Sequence, residues 1–314
     1  MKQKILDVDL LAKNFMQKCH SLPKIKVAVV YPCSPDSLEG AVEAAERGLI
    51  EPILIGPKAK IIKVADELSI DIRAYELVDV PNSVAAAEKA VALARDGAVS
   101  ALMKGSLHTD EMMHEVIKKE GGLRTTRRIS HAFIMAIEQY HKPFIVTDAA
   151  INIHPDLMTK RDIIQNAVDL FHAFKENFVP KVAVLSAVET INPDMTSTMD
   201  AACLAKMSER GQITNAIVDG PFAYDNVLSL HAAEAKKIHS PVVGEADIFV
   251  VPNIEAGNIL AKQLVLIADA ASAGIILGAS VPIILTSRAD GVQSRIGSCA
   301  VALLMAHAKN TMRE

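Results

Sequence analysis

What most constrains this 314-residue chain is a rhythm: short apolar, β-branched runs alternate with longer stretches of helical spacing. Residues 26–32 (KVAVVYP), 51–57 (EPILIGP), 74–80 (AYELVDV) and 99–105 (VSALMKG) read as strands. Between them 37–49, 59–69 and 83–97 read as helices. In the first of these, Leu38, Ala41, Val42, Ala45 and Leu49 fall on one face; in the last, Gly97 stands where a helix ends. The second half repeats the pattern, with strands over 142–150, 181–189, 215–221, 246–253 and 281–287 and helices over 159–174, 196–211, 254–270 and the C-terminal stretch. Such alternation buries a parallel sheet under helices on both faces, so the expected class is α/β. The length suits two domains, and the reading places a boundary near residue 146.

Composition removes several function classes. Half of the residues are apolar and 22% are charged, enough for a sizeable core and too few charges for disorder. A formal net charge of −4 and the absence of Trp argue against a nucleic-acid surface. No run reaches the ~18 apolar residues of a membrane span. The first residues carry Asp7 and Asp9 and lack the apolar core of a secretion signal. Cys19, Cys33, Cys203 and Cys299 are scattered without paired spacing, which points to reduced thiols in the cytoplasm rather than disulfides or zinc. Cys203 and Cys299 sit on helical apolar faces and are expected to be buried, as are Met112, Met113, Met135 and His131.

In open α/β sheets ligands gather beyond the carboxyl ends of the strands, so each strand exit is a candidate. LMKGSLHTDE offers Lys104, Gly105, Ser106 and His108, with a helix start that favours an anion; the plain alternative is an ordinary strand-to-helix turn. GGLRTTRRISHAF offers Arg124, Arg127, Arg128 and Ser130 at an expected helix start, where cations oppose the macrodipole unless an anion is bound. VTDAAINIHPD carries Asp148, Asn152, His154 and Asp156, which serve a ligand or a turn equally well. Asp219 and Asp225 in VDGPFAYDN read better as loop structure than as metal ligands. Asn253, Gly257, Asn258 and Lys262 in VPNIEAGNILAK suit a nucleotide or pantetheine contact. Last, VPIILTSRAD sets Thr286, Ser287 and Arg288 at a strand exit, two hydroxyls and a guanidinium suited to an anion.

Read in order, KGSLHTDE, RRISHAF, TDAAINIHPD, VLSAVE, VDGPFAYDN, PNIEAGNILAK and LGASVPIILTSRAD resemble the phosphate acetyltransferase/phosphate butyryltransferase family, and the variants look closer to its butyryl branch. The resemblance implies exchange of a short-chain acyl group between coenzyme A and inorganic phosphate. It implies a two-domain isocitrate/isopropylmalate dehydrogenase-like fold with parallel-rich sheets and an interdomain cleft. The first domain is then residues 1–146 plus 280–314 and the second 147–279. It also implies a homodimer, acyl-CoA and phosphate as the bound partners, no metal, and no cofactor beyond coenzyme A as substrate. Ser287 and Arg288 match the family's phosphate-holding pair. Lys104, Gly105, Ser106, His108, Arg127, Arg128, Ser130, Ser186, Asn253, Gly257, Asn258 and Lys262 are the expected substrate-binding residues.

One departure stands out. Acetyl-type members carry Gly after the Ser-Arg pair and an Asp a few residues on; here the positions read Ala289 and Ser294. Asp290 is then either the base toward the thiol or the N-cap of the last helix. Two rival readings compete with the acyltransferase: a metal- and NAD-dependent dehydrogenase of the same fold, which would reduce NAD, and a non-catalytic acyl-CoA or acyl phosphate binder, which would not turn over.

Overall fold

The structure, a computed structural model, describes residues 15–285 and 292–311. The chain opens with β1 (Ile25–Val30), α1 (Pro35–Glu46), β2 (Ile50–Gly56), α2 (Lys58–Leu68), β3 (Glu76–Asp79), α3 (Ser83–Arg95), β4 (Ala101–Lys104) and α4 (Thr109–Val116). Next come β5 (Ser130–Ala136), β6 (Phe144–Thr147), α5 (Leu157–Phe174), β7 (Lys181–Leu185), α6 (Thr196–Glu209), β8 (Ile217–Phe222), α7 (Tyr224–Leu228) and α8 (Leu230–Ala235). It closes with β9 (Ile248–Val250), α9 (Ile254–Ile267), β10 (Ala271–Leu277), β11 (Ile283–Ile284) and α10 (Val292–Thr311). These elements form two compact units, divided at Arg127/Arg128 and again at Ser272/Ala273.

In the unit that holds β1 to β4, the strand order is β3-β2-β1-β4-β11-β10. All neighbours are parallel except β10, which runs antiparallel to β11. Val27 to Val30 of β1 are fully buried, as a parallel strand covered on both faces requires, which is why the run is continuously apolar rather than alternating. Val30 pairs with both Ile55 of β2 and Lys104 of β4, so three strands end level. Ile284 of β11 pairs with Met103, which brings the last strand's exit to the same edge. The last helix is anchored by Arg295, buried against α1, where its guanidinium donates to the Asp36 carbonyl.

The second unit, Arg128–Ser272 in the described residues, has the order β5-β6-β9-β7-β8. β6, β9, β7 and β8 are parallel and β5 is antiparallel to β6. Its core gathers Phe144 and Phe249, ring centroids 4.9 Å apart, with Tyr140 and Phe222 around them. At the amino ends of the strands the fully buried Asp247 is paired with Lys142 at 2.8 Å and accepts the Lys181 N–H at 2.9 Å. A buried charge persists only when paired and hydrogen-bonded in this way.

The expected α/β class with a mostly parallel sheet is observed. Three local expectations are corrected. Residues 130–136 do not continue a helix; they form β5, because a run buried on both faces (Ser130, His131, Ala132, Ile134, Met135) has no polar side for a surface helix to present. Residues 271–277, left without an element by the sequence reading, form β10; its opening Ala271-Ser272-Ala273-Gly274 carries no β-branched signal. Cys203 is exposed on α6, whereas Cys299 is buried as expected.

His131 is the packed histidine that its apolar neighbours imply. It is fully buried, stands edge-on to Phe133 at 4.3 Å between ring centroids, and neither ring nitrogen has a hydrogen-bond partner. Burial pushes its pKa down from 6.5 to about 3. The unfolded chain therefore binds a proton that the folded chain does not between those values, so stability is full above pH 6.5 and falls as the pH drops toward 3, by up to ~1.4 kcal/mol per pH unit. His131→Phe is expected to flatten that part of a stability-versus-pH curve measured by urea melts. An unchanged slope would show that another group carries it.

Candidate functional site

Each unit presents one polar edge at the carboxyl ends of its parallel strands. In the first unit β4 ends in Lys104, a buried cation whose Nζ donates to the Gly105 carbonyl at 3.3 Å. Gly105 is there for space: a Cβ would lie 2.4 Å from the Val30 carbonyl oxygen and 2.5 Å from that of Tyr31. Ser106 is tied to the neighbouring exit, its Oγ donating to the Tyr31 carbonyl at 2.8 Å and accepting the Cys33 N–H at 3.2 Å. Those bonds hold Tyr31 in the left-handed region, at φ 56°. Its hydroxyl accepts from Lys60 at 3.1 Å. His108 is exposed, at the N-cap of α4, and its side chain makes no cap bond. Ser287, Arg288 and Asp290 lie outside the described residues; before them the description runs to Leu285, one residue past β11.

Arg127 and Arg128 precede β5, so the argument from a helix macrodipole does not apply to them. Arg127 is half-buried, and its N–H donates to Thr125 Oγ1 at 3.1 Å. In the second unit the Arg128 side chain is exposed while its backbone is held: its N–H donates to Asp162 at 3.0 Å and its carbonyl accepts from Asn166 at 2.8 Å. Ser130 is fully buried and accepts from the same Asn166 amide at 2.9 Å.

The second unit's edge is built from the exits of β6, β9 and β7, since Val250 pairs with both Thr147 and Val184. Ser186, just past β7, shares a 2.8 Å hydroxyl contact with Ser197 in the first turn of α6. Asn253 caps α9, its side chain accepting the Ala256 N–H at 3.0 Å. Gly257 again supplies room, because a Cβ would lie 2.8 Å from the Asp148 carbonyl oxygen. Asn258 donates to the Ala149 carbonyl at 3.3 Å. Lys262, one turn further along α9, is exposed.

Lys104, Gly105 and Ser106 thus share one edge, and Ser186, Asn253, Gly257 and Asn258 share another. Of the acidic pair weighed as loop or metal ligands, Asp219 accepts the Gly220 N–H at 2.8 Å and Asp225 lies 3.6 Å from Lys236, both loop roles. Sequence reasoning passed over Tyr31, Asp162 and Asn166; nothing in their spacing separates them from ordinary turn and helix residues. It left Asp148 undecided, although a carboxylate immediately after an apolar strand was a signal worth weighting.

The chain matches the family model described as Phosphate acetyl/butaryl transferase over residues 81–303. It is 56% identical to the phosphate acetyltransferase of Rickettsia prowazekii over 94% of this chain and 85% of that one. It is 42% identical to the phosphate butyryltransferase of Clostridium acetobutylicum over 93% and 97%. Among solved structures it superposes on a branched-chain phosphotransacylase from Enterococcus faecalis with a TM-score of 0.78 and 30% identity, covering 90% of this chain and 99% of that one. A 4-hydroxythreonine-4-phosphate dehydrogenase from Klebsiella pneumoniae shares the fold alone, at a TM-score of 0.51 and 15% identity over 90% and 99%.

Proposed function

The chain belongs to the Phosphate acetyl/butaryl transferase family, and from that premise we propose that acyl-CoA and inorganic phosphate exchange directly on it, giving acyl phosphate and free coenzyme A. The observation that carries the reading is the family match along most of the chain, joined to the edge where β11 runs beside β4 toward the Ser287-Arg288 pair.

A phosphate oxygen attacks the thioester carbonyl. The tetrahedral intermediate then expels the coenzyme A sulfur as thiolate, which takes up a proton; the reverse direction runs the same steps backwards. Negative charge develops on the former carbonyl oxygen, and a phosphate dianion must be held beside it. Planar, bidentate guanidinium donors suit that phosphate, which gives Arg288 its role, and Ser287 adds a hydroxyl donor. Lys104 is the buried cation at the same sheet edge, and Gly105 lets the loop after it pack against the Val30 and Tyr31 carbonyls. Asp290 is assigned as the base toward the thiol in the acyl phosphate direction. Asn253, Gly257, Asn258, Lys262 and Ser186 are assigned to coenzyme A, and Arg127, Arg128, Ser130 and His108 to the phosphate side. The scheme calls on no metal and no cofactor beyond coenzyme A as substrate.

No protein nucleophile is needed. Burial pushes the thiols of Cys19 and Cys299 up to about 12 and that of Cys33 to about 11, which leaves them protonated and poorly nucleophilic at neutral pH. The four unpaired cysteines suit a reducing, cytoplasmic setting, and a homodimer remains part of the proposal.

The leaning of the motifs toward the butyryl branch is not what overall similarity favours, because the acetyltransferase relative is the more similar of the two. Acetyl-CoA is therefore the proposed substrate. Free thiol released from acetyl-, propionyl-, butyryl- and isobutyryl-CoA, with and without phosphate, tests this. The expected result is phosphate-dependent release, fastest with acetyl-CoA. Release indifferent to phosphate removes the proposed function, and a butyryl preference removes the acetyl assignment only.

A further inference from the structure

The loop that leaves β6 is organised by a single side chain. The Asp148 carboxylate is buried, and each of its oxygens takes two donors. Oδ1 accepts the N–H groups of Ala150 and Ile151, both at 3.0 Å. Oδ2 accepts the Asn152 N–H at 3.1 Å and the Asn152 side-chain amide at 2.6 Å. Burial pushes the Asp148 pKa up, and these donors pull against that shift. Hydrogen bonds to a carboxylate are among the strong ones, so three consecutive backbone amides are fixed from one point. The same Asn152 amide donates to the Ile129 carbonyl at 2.9 Å, which ties the loop to the start of β5.

The other side of this loop is the surface on which α9 rests. The Ile254 N–H donates to the Ile153 carbonyl at 3.1 Å, and Asn258 donates to the Ala149 carbonyl at 3.3 Å. Gly257 packs so closely that a Cβ would lie 2.8 Å from the Asp148 carbonyl oxygen and 3.0 Å from Ala149 Cα. A shift of the loop therefore moves the first two turns of α9 with it.

We propose that Asp148 is a positioning residue, whose carboxylate fixes the 149–153 backbone and through it the placement of Gly257 and Asn258 against acyl-CoA. This rests on the reading of Gly257 and Asn258 as acyl-CoA contacts. Asp148 itself, with both oxygens occupied by loop donors, touches no substrate.

The test compares two variants, Asp148→Asn and Asn258→Ala, by steady-state kinetics with acetyl-CoA and phosphate beside a thermal melt. Asn keeps the shape but turns one acceptor oxygen into a donor that must face backbone N–H groups. The expected result for Asp148→Asn is a KM for acetyl-CoA raised on the order of 10- to 100-fold, the scale of a small misplacement of a binding group. The KM for phosphate should stay near that of the parent protein. A merely structural role would lower the melting temperature and the active fraction and leave both KM values alone, and that pattern overturns the proposal. If Asn258→Ala raises the KM for acetyl-CoA while Asp148→Asn does not, the proposal fails alone. If Asn258→Ala changes nothing, the acyl-CoA reading of α9 fails and the proposal falls with it. Should Asp148→Asn not fold, Asn152→Ala, which removes one carboxylate donor and the tie to Ile129, is read by the same two KM values and decides in the same way.

Discussion

Arg288→Gln is expected to lower kcat by roughly 10²-fold or more, the scale on which removing one preorganised donor to a developing charge is felt. Phosphate enters as a dianion and, in the opposite direction, leaves as one, so its charge must be met in both. Gln retains a hydrogen-bond donor but loses the positive charge and the bidentate fork. Arg288→Lys keeps the charge without the fork and should fall between the two. An enzyme cannot move the equilibrium of the reaction it catalyses, so a deficit in kcat/KM has to appear in both directions. The check is initial rates with acetyl-CoA plus phosphate and with acetyl phosphate plus coenzyme A, on protein whose thermal melt matches the parent. Near-parent kinetics in a folded Arg288→Gln protein would remove Arg288 from the phosphate site and with it the reading of the β11 exit.

Asp290→Asn is expected to cost about 10²- to 10⁴-fold in the reaction of acetyl phosphate with coenzyme A, where the thiol must lose its proton, the usual contribution of a positioned base. A thiol with a pKa of ~8.5 is mostly protonated at neutral pH, and its thiolate fraction falls tenfold for each unit below that value. Help with the proton therefore matters most at low pH. The parent and variant rates should be furthest apart near pH 6 and draw together toward pH 9. The competing role is structural, because Asp290 lies two residues before α10. Loss of a helix cap costs ~1 kcal/mol of stability and leaves turnover of the folded protein near normal. A variant that melts early but keeps the parent's pH–rate profile would therefore identify a cap.

How much of this was legible in the sequence depends on where each segment is buried. β1, β2 and β4 could be read directly, because strands covered on both faces are short, predominantly apolar runs followed closely by Pro or Gly. β10 could not, since its first half is built of Ala, Ser and Gly, whose strand conformation is imposed by pairing rather than propensity. β5 was hidden by the arginines before it, which imitate the polar start of a helix. At the site, Lys104 and Gly105 were visible because a cation and a glycine at a strand tip need a reason, and the close approach to Val30 and Tyr31 supplies one for the glycine. Asp148 gave only a partial signal, a carboxylate directly after an apolar strand. Asp and Asn within one short loop are common turn chemistry, and only the convergence of four donors on one buried carboxylate distinguishes it.

The central claim is that the acyl group passes directly between coenzyme A and phosphate, without resting on the protein. The most direct measurement is exchange of isotopically labelled phosphate into acetyl phosphate by coenzyme A-free protein, followed before and after coenzyme A is added. Direct transfer predicts no exchange until coenzyme A is supplied, and rapid exchange afterwards. Exchange in its absence would show an acyl-protein intermediate, and no exchange in its presence would show that the chain does not carry out this transfer.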